Sequence, residues 1–393
     1  MRYIPRQMEP LVLRASRHFP AVVLTGPRRA GKTTLLRHLF PRAHYVVLED
    51  PDIQARVRSD VRSFLDGLPR PTLFDEIQNT PELLNYVRTR IDEKPSQRGQ
   101  WFFTGSQEAP LMQGITESMA GRAAVLQLLP FSVMETPKVS LLTGGFPEVL
   151  AHSQARSLWF NSYVQTYLER DVRTITNVRD LVTFRRFLSL LASRHGQILN
   201  KTDLAAPLGV SVPTIGAWLH VLEMTGQIIL VAPYFENFGK RLIKSPKVYW
   251  EDSGLACHLL GITSQSELER SPFLGAIFEG FVAAEILKSQ TNLGGRKELY
   301  YFRDQQGLEV DFLVPRGNGE VWLVEAKATQ TPRPAMAGPL LSLAHSLPKR
   351  GGRQILVHRK SRSAVVTSAL APGVQALDVE QFVAALREGV RHP

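Results

Sequence analysis

Short apolar runs alternate with amphipathic stretches along the first third of the chain. The runs have the length of buried strands, and the stretches between them carry apolar residues at helical spacing. Because strands that alternate with helices pair in parallel, residues 1–130 are predicted to form an α/β domain with a helix-covered parallel sheet. The candidate strands are residues 22–24, 45–48, 72–74, 101–104 and 124–128.

The pattern changes after residue 130. Helical spacing dominates residues 131–178, which we interpret as a connector or lid. Residues 179–252 read as helix, turn, helix and strand pair, which is the order of a winged helix. Its second helix has Thr214, Trp218 and His220 available for recognition. Strands and helices mix again over residues 253–393, so the sequence predicts four segments.

A phosphate-binding motif lies between the first strand and the first long helix. Residues 26–33 fit the pattern G-x-x-x-x-G-K-[ST] without a mismatch. Glycine permits the turn, and the backbone amides would bind the phosphates of ATP, with Lys32 on the β- and γ-phosphates and Thr33 on Mg²⁺. The predicted nucleotide-binding residues are Gly26, Pro27, Arg28, Arg29, Ala30, Gly31, Lys32, Thr33 and Thr34.

Two further strands end in polar residues that suit ATP hydrolysis. Asp75 and Glu76 end the 72–74 strand, where Asp75 would hold Mg²⁺ and Glu76 would polarise the attacking water. Ser106 follows the next strand and could sense the γ-phosphate. The alternative for Asp75 and Glu76 is an ordinary pair of surface carboxylates at a strand end. The alternative for Ser106 is a common Gly-Ser turn after a strand.

Two other charged positions have both a functional and a structural interpretation. Arg122 precedes the last strand and could reach the γ-phosphate of a neighbouring subunit, which makes it a candidate catalytic residue. A solvated loop arginine is the alternative. The segment 169–171, Glu-Arg-Asp, is interpreted as a solvated helix face.

The net charge and the cysteine count indicate what kind of partner and which compartment to expect. The 393 residues carry a formal net charge of +11, which favours a polyanion such as DNA, although acidic protein surfaces also fit. Cys257 is the single cysteine, so an internal disulfide is excluded and a reducing cytoplasm is expected. We find no secretion signal and no apolar run of membrane-spanning length, so a membrane partner is not expected.

Basic residues concentrate in two segments of the second half. Residues 179–250 have nine Lys/Arg against four Asp/Glu, and the predicted wing tip contributes Lys240, Arg241 and Lys244 as candidate DNA contacts. Residues 345–363 add six Lys/Arg and no acid. Since many winged helices bind only proteins, both kinds of partner stay open.

A second group of chemically suited residues lies near the C-terminus. Strand alternation places Glu325 and Lys327 on one face, and Asp311 comes from the neighbouring strand. Two carboxylates and a lysine suit metal-assisted phosphodiester hydrolysis, for which Glu279 could be a further ligand. Charged residues on a solvent-facing strand are the alternative.

The chain resembles, nearly end to end, bacterial and archaeal AAA-type ATPases with a C-terminal DUF4143 region. The matching stretches are residues 26–33, 73–78, 104–106, 120–122, 144–148, 167–171, 247–252, 278–279 and 301–311. The resemblance implies an AAA-like P-loop domain, a winged helix and a domain similar to the PD-(D/E)xK nucleases. Asp311, Glu325 and Lys327 fit that last pattern, although Val310 stands where proline is expected.

Three functions are compatible with these features. The first is an ATP-driven motor on DNA, with branched DNA such as a Holliday junction as one substrate and a homo-oligomer such as a hexameric ring as its form. The second is an ATP-gated endonuclease. The third is an ATP-dependent switch that binds protein partners. Only Asp311, Glu325 and Lys327 favour the second function over the first.

Overall fold

The computed structural model describes residues 3–105, 118–168, 180–234, 245–346, 352–360 and 368–388. The chain divides into two compact units. The first comprises residues 1–131 with the short segments 224–226 and 291–295, and the second comprises the rest. Ser106, the 169–171 segment, and the wing residues Lys240, Arg241 and Lys244 lie outside the described residues.

The first unit is a five-stranded parallel sheet with helices between its strands. Its strands are β1 (Ala21–Thr25), β2 (His44–Val47), β3 (Thr72–Asp75), β4 (Trp101–Thr104) and β5 (Ala123–Gln127). Its helices are α1 (Glu9–His18), α2 (Lys32–Leu39), α3 (Pro51–Ser59), α4 (Val61–Asp66) and α5 (Leu83–Glu93). The strand order β2-β3-β4-β1-β5 confirms the predicted α/β fold with a parallel sheet.

The burial of the central strands accounts for their apolar sequences. Every residue of the three central strands, β1, β3 and β4, is buried, as expected where helices cover both faces of a parallel sheet. The edge strands β2 and β5 are partly exposed. The register pairs Leu24 with Thr104 and Phe74 with Phe103, so the carboxyl ends of the three central strands meet at one edge.

The second unit is built on one nine-stranded sheet. Its strands are β6 (Gln197–Ile198), β7 (Ile228–Pro233), β8 (Lys247–Trp250), β9 (Tyr300–Arg303), β10 (Glu309–Pro315), β11 (Val321–Lys327), β12 (Gln354–His358), β13 (Ala369–Ala371) and β14 (Val374–Asp378). Its first helices are α6 (Pro147–Ala151), α7 (Arg156–Tyr163), α8 (Leu181–Ser193), α9 (Lys201–Ala205) and α10 (Val212–Met224). The later ones are α11 (Ser253–Leu259), α12 (Gln265–Arg270), α13 (Leu274–Asn292), α14 (Gly338–Ser346) and α15 (Val379–Glu388).

Residues 180–250 have the helices and strands of the predicted winged helix in the predicted order. Helices α8, α9 and α10 precede the antiparallel pair β7 and β8, and β6 adds a third strand beside β8. Side-chain caps begin two of the helices, since Asp180 accepts from two amides of α8 and Asn200 from two amides of α9.

One residue of the expected recognition helix is not available for recognition. Trp218 is only 3% exposed and packs against Phe184 and Phe187, at ring-centroid distances of 5.4 and 5.1 Å. The expectation for Trp218 is therefore wrong, because the indole fills the core between α8 and α10. His220 is exposed and Thr214 is partly exposed.

Strands β6, β7 and β8 continue into the larger sheet of the unit. Strand β7 pairs in parallel with β9 through Ala232 and Tyr300, which joins the β6-β8-β7 group to the larger sheet. The predicted domain boundary at residue 252 stays a prediction, and a continuous sheet runs across it. Among the described residues no single helix is long and apolar enough to span a membrane, and one sharply bent pair, Lys201–Leu208 with Val212–Met224, meets the length and composition test together.

Candidate functional site

The phosphate-binding motif forms a tight loop between β1 and α2. Gly26 has a φ of +136°, and a Cβ atom there would lie 2.1 Å from the carbonyl oxygen of Leu128, so no side chain fits. Gly31 has a φ of +97° and precedes the first residue of α2. No side chain of the described residues caps the start of this helix, and a helix N-terminus is a position at which backbone amides can bind an anion.

Lys32 lies across this loop. Its side chain is buried, and its ammonium donates to the carbonyl oxygens of Gly26 at 3.0 Å and Pro27 at 2.9 Å. The ammonium therefore lies over the concave side of the loop, where the phosphates of a bound nucleotide would run. The donor set of the loop fits ATP.

Arg6 supports the loop from outside the motif. Its guanidinium donates to the carbonyl oxygens of Ala30 at 2.9 Å and Leu129 at 2.6 Å, and it stacks 4.3 Å from the centre of the Phe131 ring. Arg6 is only 5% exposed. Sequence reasoning missed this residue, because nothing local marks an N-terminal arginine as a partner of residues 24 and 123 positions away.

Asp75 is the centre of a group of hydroxyls. Thr33 donates to Asp75 Oδ1 at 2.6 Å, Tyr45 donates to Oδ2 at 2.7 Å, and Thr104 donates to Oδ1. Burial, followed by the bond to Asp75, raises the pKa of the Tyr45 phenol. Thr33 and Asp75, predicted separately as Mg²⁺ ligands, thus touch each other. Both supply the oxygen ligands that Mg²⁺ prefers, so this donor set fits the ion.

Glu76 sits beside this group in a strained backbone conformation. Its φ of +59° is uncommon for a residue other than glycine. Its amide donates to Thr104 Oγ1 at 3.1 Å, the Gln78 side chain donates to its carboxylate, and Arg28 approaches the carboxylate to 4.0 Å. Backbone strain of this kind is common at functional positions.

Arg122 lies away from this group within one chain. It precedes β5, which runs parallel to β1, so it stands at the amino end of the strands while the loop stands at the carboxyl end. Its guanidinium forms an exposed ion pair with Asp92, at 2.6 and 3.0 Å, and that bond lowers the pKa of Asp92. A role for Arg122 across a subunit boundary stays a prediction.

The second predicted group does come together, in the second unit. Strands β10 and β11 are antiparallel neighbours. The amide of Asp311 donates to Glu325 Oε2 at 3.4 Å, and the amide of Ala326 donates to Asp311 Oδ2 at 2.9 Å. Lys327 contacts Glu325 at 2.6 Å. We call Glu279, Glu309, Asp311 and Glu325 the acidic cluster.

Lys247, to which sequence reasoning assigned no role, lies inside the acidic cluster. It is 2% exposed, and its ammonium lies 2.9 Å from Glu279, 2.5 Å from Glu309 and 3.7 Å from Asp311. Burial would lower the pKa of Lys247, but these carboxylates raise it above its ordinary value. No local sequence signal could have found Lys247, because its partners come from other parts of the chain.

Burial dominates the electrostatics of the cluster. Burial first, and the charge of Asp311 second, raise the pKa of both Glu279 and Glu325 to about 7. Lys247 and Lys327 oppose these shifts as the nearest cations. Among the described residues, no group of three or more His, Cys, Asp or Glu side chains is arranged to hold a metal ion.

Three family models match consecutive parts of the chain. An AAA domain matches residues 18–136, a domain of unknown function (DUF8612) matches residues 134–266, and another (DUF4143) matches residues 274–381. The matches follow one another almost without a gap. The AAA match contains the loop, Asp75 and Glu76, and the DUF4143 match contains the acidic cluster.

Individual relatives extend the similarity over most of the chain. An uncharacterized protein of Mycobacterium tuberculosis, Rv2008c, is 34% identical over 326 residues, which are 81% of this chain and 73% of that protein. A Walker-type ATPase of Pyrococcus abyssi is 17% identical with a TM-score of 0.42, over 65% of this chain and 96% of that one. The Holliday junction branch migration motor RuvB of Thermotoga maritima is 18% identical with a TM-score of 0.30, over 56% and 86%.

Proposed function

We propose that this chain, which belongs to the family of AAA-type P-loop ATPases with a C-terminal DUF4143 region, is an ATP-driven motor that acts on DNA as a homo-oligomer. The ATPase part is supported most strongly by one observation. Thr33 and Asp75 share a 2.6 Å hydrogen bond beside Glu76, at the edge of the sheet where the phosphate loop begins.

The residues of the loop act first. Lys32 exchanges the carbonyl oxygens of Gly26 and Pro27 for the β- and γ-phosphates of ATP, since phosphate oxygens carry more negative charge. Thr33 and Asp75 would hold Mg²⁺, which when bound neutralises charge on the phosphates. The hydroxyls of Tyr45 and Thr104 keep the Asp75 carboxylate oriented toward Thr33.

Glu76 then acts on water. Its carboxylate accepts a proton as the water oxygen bonds to the γ-phosphorus and the bond from that phosphorus to the β-phosphate oxygen breaks. The Gln78 amide and Arg28 fix the position of the carboxylate. Arg122 of a neighbouring subunit would add positive charge at the γ-phosphate, which requires that its bond to Asp92 open.

DNA as the partner is supported by charge and by the winged-helix order of residues 180–250. The chain has a net charge of +11, and the wing carries Lys240 and Arg241. Helix α10, the expected reading helix, contains no lysine or arginine. We therefore infer binding to the DNA backbone through the wing and weak discrimination between sequences.

The DNA proposal is tested by salt titration of binding to unrelated duplexes, forks and four-way junctions. The double variant Lys240→Ala/Arg241→Ala should lower affinity equally for all sequences and flatten the salt slope by about one to two units. The matched control, Lys94→Ala/Arg98→Ala, removes the same charge from the first unit. An unchanged slope in the wing variant contradicts the wing contact.

The lack of lysine and arginine on α10 favours a protein partner as the second candidate. Exposed Val212 and His220 without a nearby cation on the same helix resemble a protein-binding face more than a phosphate-binding one. ATP turnover separates the two candidates. Stimulation by DNA supports the motor, whereas turnover indifferent to DNA, with no DNA binding at low salt, supports the protein-binding switch.

A further inference from the structure

We propose that the ammonium of Lys247 permanently occupies the cation position of the acidic cluster, so that the cluster binds no Mg²⁺ and cleaves no phosphodiester bond. The proposal concerns the second unit and does not depend on what the ATPase acts on. The resemblance to PD-(D/E)xK nucleases predicts a metal held by Glu279, Asp311 and Glu325. The structure places a lysine there.

The distances leave no room for both the Lys247 ammonium and a Mg²⁺ ion among these carboxylates. The ammonium makes contacts of 2.5 to 3.7 Å with carboxylates from α13 and from two positions of β10. Mg²⁺ would need oxygens of the same carboxylates at about 2.1 Å. Because an ion there would lie against the ammonium, the two cations would repel each other strongly in a buried setting.

The backbone of Lys247 leaves it little freedom to withdraw. Strand β8 lies between β7 and β6, where Lys247 pairs with Val231 on one side and Ile198 on the other. Its ammonium also lies 5.6 Å from the centre of the Tyr301 ring. A lysine moved off the carboxylates would remain buried without a counter-charge, which is costly.

Every carboxylate of the cluster already has a cationic neighbour. Glu279 and Asp311 have Lys247, Glu325 has Lys327, and Glu309 has both Lys247 and Arg303, the latter at 3.4 Å. Tyr249 also donates to Glu279. A metal ion would have to displace these partners, whereas a metal site normally presents carboxylates with room for the ion.

The origin of Lys247 suggests what the cluster does instead. Lys247 belongs to the winged-helix strand β8, whereas the carboxylates come from α13, β10 and β11. The cluster therefore joins the winged-helix part of the sheet to the part that follows residue 273. It links the two parts of the sheet through buried ion pairs.

Metal binding to the full-length chain without nucleotide tests the proposal. We would titrate Mn²⁺ and count bound ions by electron paramagnetic resonance for wild type, Asp311→Asn, Lys247→Met, Lys247→Arg and Lys247→Met/Asp311→Asn. Wild type and Asp311→Asn should bind equal numbers of ions. Lys247→Met should gain one site at least tenfold tighter than any in wild type, and Asp311→Asn should remove it again.

Several other results of these experiments would overturn the proposal. A wild-type ion that Asp311→Asn removes overturns the proposal, and so does a folded Lys247→Met chain without a new site. Lys247→Arg keeps a positive charge at this position, so this variant should gain no Mn²⁺ site. If Lys247→Met does not fold, the wild-type and Asp311→Asn pair alone decides. Cleavage of linear, forked or four-way DNA by wild type with Mg²⁺ or Mn²⁺ that Asp311→Ala abolishes would also overturn it.

Discussion

The two acidic sites of this chain differ in what holds their carboxylates. Asp75 in the first unit is held by three hydroxyls, from Thr33, Tyr45 and Thr104. Asp311 in the second unit lies 3.7 Å from the ammonium of Lys247. Hydroxyls orient a carboxylate and leave its charge for an incoming cation, whereas an ammonium cancels that charge. We therefore expect the first site, but not the second, to bind a metal ion.

The lysines of the two sites differ in the same way. Lys32 donates to the neutral carbonyl oxygens of Gly26 and Pro27, which a phosphate can replace. Lys247 is bound by three carboxylates. We therefore expect a phosphate to displace the carbonyl contacts of Lys32 more readily than a metal ion would displace Lys247. The partners of a lysine, and whether a ligand can replace them, therefore indicate a binding site better than the residue type does.

Removing the exchangeable lysine should have the largest effect. Lys32→Ala should lower ATP turnover below about 1% of wild type, because a positioned cation on the transferring phosphoryl group contributes several kcal/mol. Steady-state phosphate release measures this, with Lys94→Ala as a control that removes an exposed lysine from the same unit. Turnover above half of the wild-type rate would contradict the assignment of Lys32.

Glu76→Gln should separate binding from hydrolysis. The amide keeps the size of the side chain but cannot take a proton from water, so turnover should fall about 10²- to 10⁴-fold. The affinity for a fluorescent ATP analogue should stay within about threefold, since the phosphate ligands are unchanged. Glu82→Gln is the matched exposed control. Normal turnover in Glu76→Gln would refute its role.

Arg122→Ala should have a smaller effect that depends on assembly. If Arg122 acts across a subunit boundary, Arg122→Ala and Lys32→Ala chains should each be impaired, and mixing them should restore part of the turnover. Mixed oligomers re-form sites that pair an intact loop with an intact arginine. Phosphate release from equimolar mixtures measures this. A strictly monomeric chain with full activity would rule it out.

The smallest effect concerns pH and the acidic cluster. The folded-state pKa values of Glu279 and Glu325 are raised from 4.5 to about 7, so the folded chain binds more protons than the unfolded chain between those values. Stability should therefore fall as pH rises from 4.5 to 7. Asp311→Asn removes a charge that raises both pKa values, so its fall should be shallower.

Calorimetric melting temperatures at pH 5, 6 and 7 measure this slope. Other buried acids, such as Glu251, titrate in the same window, so the comparison with wild type isolates the contribution of the cluster. Asp203→Asn removes an exposed carboxylate from α9 and should keep the wild-type slope. A slope in Asp311→Asn equal to or steeper than the wild-type slope would contradict the assignment.

The sequence predicted the order of strand, loop and helix in the first unit because the signals for these elements are local. The loop is contiguous and follows β1, and Asp75 ends the apolar strand β3, so both lie at the carboxyl edge of one parallel sheet. Lys247 and Arg6 could not be predicted this way, because their partners are set by strand order and long-range packing. The exposure of Trp218 was predicted wrongly for the same reason. Helical spacing does not show which face of α10 is covered by α8.

The most direct test of the contrast between the two sites counts metal ions in the presence of nucleotide. Wild type with a non-hydrolysable ATP analogue should bind one Mn²⁺ per chain. Thr33→Ala should weaken or lose that ion, and Asp311→Asn should leave it unchanged. A second Mn²⁺ per chain that persists in Thr33→Ala and disappears in Asp311→Asn would contradict the account, because the acidic cluster would then be a metal site.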